Sequence, residues 1–310
     1  MLLDRTIAAA APWVKKRIWI VSDLQQQYPE RATHCMHRAM EDFLTLGLAC
    51  DAVCYLGDAV EGGNLNFLME MAKMQQEAFA KIDAPVYYVL GNHDFDYYAQ
   101  HRDTLDQMQL PFFSFIRNLL QWHTQENLSD LYFCADMGSF VLAFLTDHAD
   151  PSGSWYTTHG EVHGNTDAYP YTKQDYQKAM EQILRYEKPV ITLSHYAFAG
   201  GNRAAPLFDR FLPLPKQVRM HFYGHAHIGD AVWAGKDCYR QIAAVDCQPI
   251  VQVNVASLEN YRGSAIRSVI MEWYENQEIG VLFRNHTRAC WDGYFVSTPD
   301  TRMEKSDWQK

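Results

Sequence analysis

The sequence predicts an α/β protein, and three observations support this fold class. In the first two-thirds of the 310 residues, short apolar runs alternate with amphipathic segments, a rhythm typical of parallel strands joined by right-handed helical crossovers. In the last third the apolar runs follow one another without helical patterns between them. We therefore expect mainly β-structure there, completing a second sheet packed on the first. Apolar residues make up 48% of the chain, enough for a sizeable core.

Three strands and two helices are predicted near the N-terminus. The strands lie in the stretches RIWIVSD, AVCYLGD and PVYYVLGNHD. The helices run from about His34 to Leu48 and from about Asn64 to Ile82. Their apolar faces consist of Met36, Met40, Phe43 and Leu44 in the first helix and of Leu68, Met71, Ala72, Ala78, Phe79 and Ile82 in the second. His34 and His37 fall on the polar side of the first helix, where we expect them to face solvent.

The rest of the chain predicts a hairpin, an insert, a third helix and further strands. LYFCA and SFVLAFLTD flank a turn around residues 136–138. A polar, aromatic and histidine-rich insert at roughly 149–171 is a candidate lid. A capping box at residues 172–175 opens a helix that ends before Pro189 and buries Tyr176, Ala179, Met180, Ile183 and Leu184. Later strands are predicted in PVITLSH, VRMHFYGHAH, PIVQVNVASL, SAIRSVIMEWY and IGVLFR, with a turn at 275–278.

Chain organisation and charge narrow the possible partners. No repeat or long linker divides the sequence, so we predict a single domain over residues 1–310, with a core at about 17–290 and a short C-terminal tail. With 37 acidic against 27 basic residues the formal charge is −10, which disfavours a nucleic-acid duplex as partner. The N-terminal segment predicts no leader, and no later run is long enough to span a membrane. The sequence does not indicate the oligomeric state.

The cysteines indicate the cellular compartment. Their number is odd, none forms a Cys-x-x-Cys pair, and their surroundings are apolar. We interpret them as reduced, buried thiols and infer a cytosolic protein. They are Cys35, Cys50, Cys54, Cys134, Cys238, Cys247 and Cys290.

Five apolar runs end in polar clusters. These are Asp23-Leu-Gln25, Gly57-Asp58, Gly91-Asn92-His93-Asp94, Ser194-His195 and Gly224-His225-Ala-His227. In open α/β sheets the carboxyl ends of the strands converge on one crevice, and side chains two apart on an extended segment point to the same side. Carboxylate, carboxamide and imidazole groups together are suited to a pair of divalent transition ions. The sequence therefore predicts a metal site at these strand ends.

The ordered motifs SDLQ, GDAVE, GNHD, SH and GHAH resemble the calcineurin-like metallophosphoesterase family. That family carries Asp-x-His, Gly-Asp-x-x-Asp, Gly-Asn-His-Asp/Glu, a later His and Gly-His-x-His. The resemblance implies a four-layer α/β/β/α sandwich with two mixed β-sheets, which some schemes class as α+β. It also implies two divalent ions, Mn, Fe or Zn with Mg as a further candidate. By position, one ion would be held by Asp23, Gln25, Asp58 and His227, and the other by Asp58, Asn92, His195 and His225, with Asp58 bridging.

The resemblance also implies a mechanism, and two departures from the family pattern qualify it. A hydroxide bridging the two metals would attack phosphorus in line, with His93 and Asn92 as the catalytic side chains. Gln25 stands where the family has histidine, so its site should bind metal more weakly and favour Mn or Mg over Zn; alternatively, Gln25 faces solvent. Glu61 replaces the second aspartate of Gly-Asp-x-x-Asp, and its longer side chain would have to orient His93 from outside the ligand set.

Outside the motifs, three residues are candidate substrate contacts. Arg203 can clamp a phosphate, and Tyr196 and Trp155 can stack on an organic group. A solvated loop arginine and ordinary aromatic packing are the alternatives. His159 and His163, in the insert, are spaced so that they could hold a ligand or a third ion, but a polar loop is the favoured interpretation.

The sequence thus predicts a metal-dependent phosphoesterase acting on a small phosphorylated substrate. We favour a phosphodiester because Arg203 is the only arginine close to a motif, leaving little to neutralise a monoester dianion. One alternative is a phospho-ligand binding module without activity, in which Gln25 marks a degenerate metal site. Others are a phosphomonoesterase or a nuclease of the same family.

Overall fold

Within the residues that the structure describes, the fold consists of two six-stranded sheets, a two-stranded ribbon and helices. A computed structural model of the chain describes residues 13–26, 28–61, 65–91, 93–94, 132–145, 154–156, 162–164, 180–197, 215–230, 240–245 and 248–299. The helices are α1 (Pro29–Thr45) and α2 (Leu65–Phe79), and residues 180–184 form a further helical stretch. The strands are β1 (Val14–Val21), β2 (Ala52–Leu56), β3 (Val86–Val89), β4 (Tyr132–Asp136), β5 (Val141–Leu145), β6 (Ser154–Tyr156), β7 (Val162–Gly164), β8 (Val190–Ser194), β9 (Val218–Tyr223), β10 (Arg240–Val245), β11 (Gln248–Asn254), β12 (Arg267–Tyr274), β13 (Ile279–Asn285) and β14 (Cys290–Ser297).

The first sheet has the strand order β14-β13-β12-β1-β2-β3. Strands β1, β2 and β3 are parallel, as the alternation of strands and helices predicts, with Ile20 opposite Cys54. Strand β12 pairs antiparallel with the other side of β1 and so covers an edge that would otherwise expose unpaired backbone groups. Strands β13 and β14 continue the sheet by antiparallel pairing.

The second sheet has the strand order β10-β11-β9-β8-β5-β4. Its four inner strands are parallel to one another, and a hairpin closes each edge, β4–β5 on one side and β10–β11 on the other. The ribbon β6–β7 lies within the insert predicted at 149–171. The remainder of that insert and the predicted capping box at 172–175 lie outside the described residues.

The alternation of side chains along β1 builds two cores. Trp19 and Val21 belong to the core between the first sheet and the helices α1 and α2, and the Trp19 ring stacks on Phe43 at 4.0 Å. Ile18 and Ile20 point the other way, into the core between the two sheets. A strand buried on both faces reads as an unbroken apolar run, which is why RIWIV shows no polar alternation.

A buried polar network ties α1 to the first sheet. Asp42 accepts two hydrogen bonds from Arg284, both at 2.7 Å, and one from His286 Nδ1 at 2.8 Å. Burial lowers the pKa of His286, so its neutral ring accepts from Ser268 Oγ at 2.7 Å, and Trp19 Nε1 donates to that oxygen at 2.8 Å. Burial opposes the charge of Asp42, yet the hydrogen bonds from Arg284 and His286 lower its pKa to about 2.

Several sequence predictions about the fold are corrected. The last third does not only complete the second sheet: β10 and β11 do so, whereas β12, β13 and β14 extend the first. Helix α1 begins at Pro29, earlier than the predicted His34, because proline is well suited to the first turn of a helix. Leu44 and Leu184, predicted as buried, are 45% and 56% exposed. His34 and His37 face solvent as expected.

The thiols only partly match their prediction. Among the described residues no disulfide forms, and Cys35 and Cys54 are buried, but Cys50, Cys134 and Cys290 are half-buried. Cys238 and Cys247 lie outside the described ranges. Within the part of the chain that the structure describes, no helix has the length and apolarity needed to cross a bilayer.

Candidate metal centre

The polar clusters predicted at the strand ends meet at one edge of the sandwich. Asp23 follows β1, Asp58 follows β2, His195 follows β8, and His225 and His227 follow β9. Two groups of side chains place their ligand atoms within 4.8 Å of one another. One group is Asp23, Asp58 and His227, and the other is Asp58, His195 and His225. Asp58 is common to both groups, which is the position that the sequence assigns to a bridging ligand.

The backbone at these positions adopts an unusual conformation. Asp23, Asp58, His225 and His227 have φ values of 58°, 54°, 64° and 42°, in the left-handed region that residues with a side chain rarely occupy. Each such residue costs of order 1–3 kcal/mol and persists only where its surroundings hold it. Hydrogen bonds between the strand ends supply that support: Asp23 N donates to Gly57 O, and Gln25 N to Asp58 O, both at 3.0 Å.

Two glycines let the strand ends approach one another. A Cβ at Gly91 would overlap the side chain and the backbone nitrogen of Asp58. A Cβ at Gly224 would overlap the Ser22 hydroxyl and the Asp23 carboxylate. Both glycines therefore serve close approach to a predicted ligand, which explains their place in the Gly-Asn-His and Gly-His-x-His motifs.

Replacing Gly91 by alanine is expected to displace Asp58. The overlap includes backbone, so a rotamer change cannot relieve it, and we expect a loss of about 1–3 kcal/mol in the free energy of unfolding together with weaker metal binding. Gly293→Ala is the matched control, since nothing lies within 4 Å of a Cβ built there. Urea denaturation and metal titration of both variants provide the measurement. Equal behaviour of the two variants would contradict the assigned role.

Hydrogen bonds fix which nitrogen of His195 and which nitrogen of His227 faces the centre. His195 Nδ1 donates to the Leu56 carbonyl at 2.7 Å, which leaves Nε2 directed at Asp58 Oδ2, 3.2 Å away. His227 Nδ1 donates to Glu259 Oε1 at 2.6 Å, which leaves Nε2 at 3.1 Å from Asp23 Oδ1. Outer hydrogen bonds of this kind orient metal-binding histidines and raise their basicity.

The electrostatics of the centre favour a cation. Burial opposes the imidazolium form, but Asp58 raises the pKa of His195 to about 10, and Asp23 and Glu259 raise the pKa of His227 to about 9. Burial and the neighbouring His195 lower the pKa of His225 to about 3. The negative charges of Asp23 and Asp58 are thus balanced by protons on His227 and His195, and a divalent ion would take the place of those protons.

Glu259 is a member of the centre that the sequence analysis missed. Its carboxylate is fully buried and accepts from both His227 Nδ1 and the Tyr261 backbone nitrogen, the latter at 2.7 Å. Its own backbone nitrogen donates to Asp23 O at 3.0 Å. Glu259 lies in the stretch ASLEN, which follows β11 and contains none of the motifs. The single sequence signal was a carboxylate placed close to an apolar run.

Replacing Glu259 by glutamine is expected to weaken metal binding about 10–100-fold, because His227 loses the group that orients it and enhances its basicity. Isothermal titration with Mn²⁺ measures the change directly. Glu275→Gln is the control. Glu275 is exposed and pairs with Lys15 at 2.9 Å on the surface, so the Mn²⁺ affinity of this variant should match that of wild type. Unchanged Mn²⁺ affinity in the Glu259 variant would show that Glu259 does not support metal binding.

Gln25 lies inside the centre and not in solvent. Its side chain is fully buried, and its Nε2 lies 3.2 Å from His227 Nε2. Its Oε1 has no hydrogen-bond partner among the described residues. A buried carboxamide oxygen without a donor is available to a cation, so the donor set of these residues fits a divalent metal.

His93 adjoins Asp58 and faces Glu61. Its backbone nitrogen donates to Asp58 Oδ1 at 2.8 Å, and its Nδ1 lies 3.4 Å from Glu61 Oε2. The longer side chain at position 61 therefore reaches His93. Burial lowers the pKa of His93. Asp94 accepts from the backbone nitrogens of Gly91 and Asp58 at 2.7 and 2.9 Å and so fixes the two loops to each other, a role that the motif alone did not indicate.

The remaining candidates divide into one that is described and three that are not. The ring of Tyr196 lies 4.5 Å from that of His225, which places it beside the centre. Asn92 and Arg203 lie outside the described residues, as does the side chain of Trp155. Their predicted roles therefore stay predictions.

Three solved structures of low sequence identity are similar to this chain to different degrees, and one of them has a TM-score above 0.5. Purple acid phosphatase PPD1 from seeds of yellow lupin (Lupinus luteus) has a TM-score of 0.54 at 15% identity, with 93% of this chain and 54% of that chain covered. The chain thus spans about half the length of the lupin enzyme. TT1561 of Thermus thermophilus has a TM-score of 0.44 at 11% identity, covering 91% of this chain and 98% of that one. A Saccharomyces cerevisiae protein serine/threonine phosphatase with similarity to human phosphatase PP5 has a TM-score of 0.35 at 12% identity, covering 86% and 76%.

The family of this chain is identified by a comparison of its sequence with family models. A search of curated protein sequences finds no match to this chain. The family described as calcineurin-like phosphoesterase, however, matches residues 16–229, more than half of the 310 residues. This segment begins in β1 and extends beyond His227, so it includes every residue predicted from the motifs. With its two mixed sheets and its clustered aspartates and histidines, the chain belongs to the calcineurin-like phosphoesterase family.

Proposed function

We propose that this protein hydrolyses a small phosphorylated substrate with the help of two divalent cations. The observation that carries the proposal is the pair of ligand groups that share Asp58. One cation would be held by Asp23, Gln25, Asp58 and His227, and the other by Asp58, Asn92, His195 and His225. When bound, the two cations would supply Lewis acidity toward the phosphoryl oxygens and would lower the pKa of a coordinated water.

The side chains around the centre supply the remaining chemistry. Asp58 accepts from the backbone of His93, which keeps that imidazole next to the centre. Glu61 Oε2 lies 3.4 Å from His93 Nδ1, and His93 is the side chain proposed to pass a proton to the leaving oxygen. The buried carboxylates of Asp23 and Asp58, kept ionised by His227 and His195 despite their burial, provide the negative charge that binds the cations.

The proposed substrate is small because the acidic chain, with a formal charge of −10, does not favour long polyanions. A cytosolic location is part of the proposal and is supported by the described cysteines, none of which forms a disulfide. Manganese or magnesium is proposed for the site of Gln25, because a carboxamide oxygen is a harder ligand than the family's imidazole. A preference for phosphodiesters is part of the proposal, and it rests on Arg203 being the only arginine close to a motif in the sequence.

A metal titration tests the proposed function. The purified protein is stripped of metal and then assayed with p-nitrophenyl phosphate and bis(p-nitrophenyl) phosphate while Mn, Mg, Fe(II) or Zn is added. We expect activity to return with Mn, and a Gln25→His variant to need less metal for half-maximal activity. Hydrolysis of neither ester with any metal, combined with tight binding of orthophosphate, would instead favour a binding module without activity.

A further inference from the structure

His221 is a fully buried histidine of β9, four residues before the predicted ligand His225. Its neighbours Met220 and Phe222 point into the core between the two sheets, so His221 occupies the opposite face of the second sheet. Thr192 of β8 lies opposite His221 in the register and is also fully buried. A buried polar side chain costs free energy unless its hydrogen bonds are made, and both ring nitrogens of His221 have partners.

The hydrogen bonds of His221 assign the proton on its ring. Its Nε2 lies 2.9 Å from the carbonyl oxygen of Tyr196, which can only accept, so this nitrogen carries the proton. Burial lowers the pKa of His221 to about 3, so the ring is neutral and Nδ1 accepts from Thr192 Oγ1 at 3.0 Å. Ser194 Oγ donates to the same Tyr196 oxygen at 2.6 Å. Two buried side chains thus donate to one backbone oxygen.

That oxygen adjoins one of the two groups of predicted ligands. We call Asp58, His195 and His225 the second ligand group, and the group that contains His227 the first. His195 directly precedes Tyr196, and its Nε2 lies 3.2 Å from Asp58 Oδ2 and 3.2 Å from His225 Nδ1. The ring of Tyr196 lies 4.5 Å from that of His225. Tyr196 is therefore next to both imidazoles of the second ligand group, to one through the chain and to the other through its ring.

We propose that His221 is a positioning residue that fixes the backbone at Tyr196 and thereby sets the cation affinity of the second ligand group. Without His221, the Tyr196 carbonyl loses one of the donors described above, and its peptide gains freedom to turn. Such a turn moves the Tyr196 ring against His225 and also moves the chain that carries His195. Loss of an outer partner typically weakens metal binding about 10–100-fold. This inference rests on the proposed function, since it concerns one of the two cation sites proposed there.

Isothermal titration with Mn²⁺ compares His221→Phe and His221→Gln with wild type. Phenylalanine keeps a buried ring but donates no hydrogen bond, and Thr192 Oγ1 can then donate to Met220 O, 3.3 Å away. We expect one of the two Mn²⁺ binding steps to weaken about 10-fold in His221→Phe. Glutamine keeps an N–H donor, so His221→Gln should recover most of that affinity. Ile191→Val, which shortens a fully buried side chain of the neighbouring strand β8, is the control for lost stability and should bind both ions like wild type.

Further variants assign the weakened step to the second ligand group. Ser194→Ala removes the other donor to the Tyr196 carbonyl and should weaken the same step as His221→Phe. Glu259→Gln removes the partner of His227 in the first ligand group, so it should weaken the other step, and its combination with His221→Phe should weaken both. Electron paramagnetic resonance at two equivalents of Mn²⁺ gives a second readout. Wild type should show a coupled pair of ions, and His221→Phe a larger share of isolated Mn²⁺.

Three results would overturn the role of His221. They are unchanged Mn²⁺ binding in His221→Phe, an equal loss in Ile191→Val, and a wild type that binds a single ion. Binding by His221→Gln that is no better than by His221→Phe would also contradict it, because the donated hydrogen bond would then not matter. If wild type binds two Mn²⁺ but hydrolyses neither p-nitrophenyl ester, the proposed function fails, whereas the titration still decides the role of His221.

Discussion

Replacing Asp58 by asparagine is expected to abolish hydrolysis, with a loss of at least about 10³-fold, since several kcal/mol of transition-state stabilisation depend on the bound cations. Asp58 belongs to both ligand groups, accepts from His93 N through Oδ1, and faces His195 through Oδ2. Asparagine keeps the shape but removes the charge, and its amide presents a donor to one of the two groups. Both cations should therefore bind more weakly, in contrast to a change at Gln25, which affects one group only.

Metal content by mass spectrometry and initial rates with excess Mn test this expectation. Asp136→Asn is the control, since Asp136 is an exposed carboxylate that pairs with Lys188 at 2.7 Å on β4. That variant should keep wild-type metal content and rate. Retention of more than about a tenth of the activity in the Asp58 variant would show that a shared carboxylate is not required.

Replacing Asp42 by asparagine is expected to give the second large effect, a loss in the free energy of unfolding. Asp42→Asn leaves the buried Arg284 without its counter-charge, and removing one partner of a buried ion pair costs about 3–5 kcal/mol. It also disturbs the chain of hydrogen bonds through His286 and Ser268 to Trp19. Glu41→Gln, one residue away on the exposed side of α1, should change the free energy of unfolding by less than about 0.5 kcal/mol.

The pH dependence of the same variant provides a second check. Burial opposes the charge of Asp42, but its hydrogen bonds lower the pKa from 3.8 to about 2. A depressed pKa stabilises the fold above the unfolded value of 3.8, and this contribution is lost as the pH falls through the folded value of about 2. The difference in unfolding free energy between wild type and Asp42→Asn should therefore be constant above pH 3.8 and shrink toward pH 2. A difference independent of pH would contradict the assigned ion pair.

The residues that sequence could identify share a physical reason for being identifiable. Asp23, Asp58 and His195 each follow an apolar run directly, and parallel strands carry their carboxyl-terminal residues to the same edge. Local pattern and simple topology were therefore enough to bring them together. The Asp-x-Gln spacing was informative in the same way, because Gln25 enters the centre from the segment that follows the first strand.

Other parts could not be predicted because they depend on distant pairing. Glu259 lies in an irregular loop with no periodicity, and its position follows from contacts with Asp23 and His227. The pairing of β12 with β1 joins segments about 250 residues apart, which no local pattern encodes. Leu44 is apolar at the right helical spacing, yet it lies at the edge of the buried helix face and is 45% exposed.

The pairing of β12 with β1 also has a consequence for folding during synthesis. Strand β1 can pair fully with its antiparallel neighbour β12 only after Tyr274 has been synthesised. Glu259, which bonds to His227, is synthesised shortly before that. Domains usually fold as the chain emerges from the ribosome, but the first sheet here cannot close early.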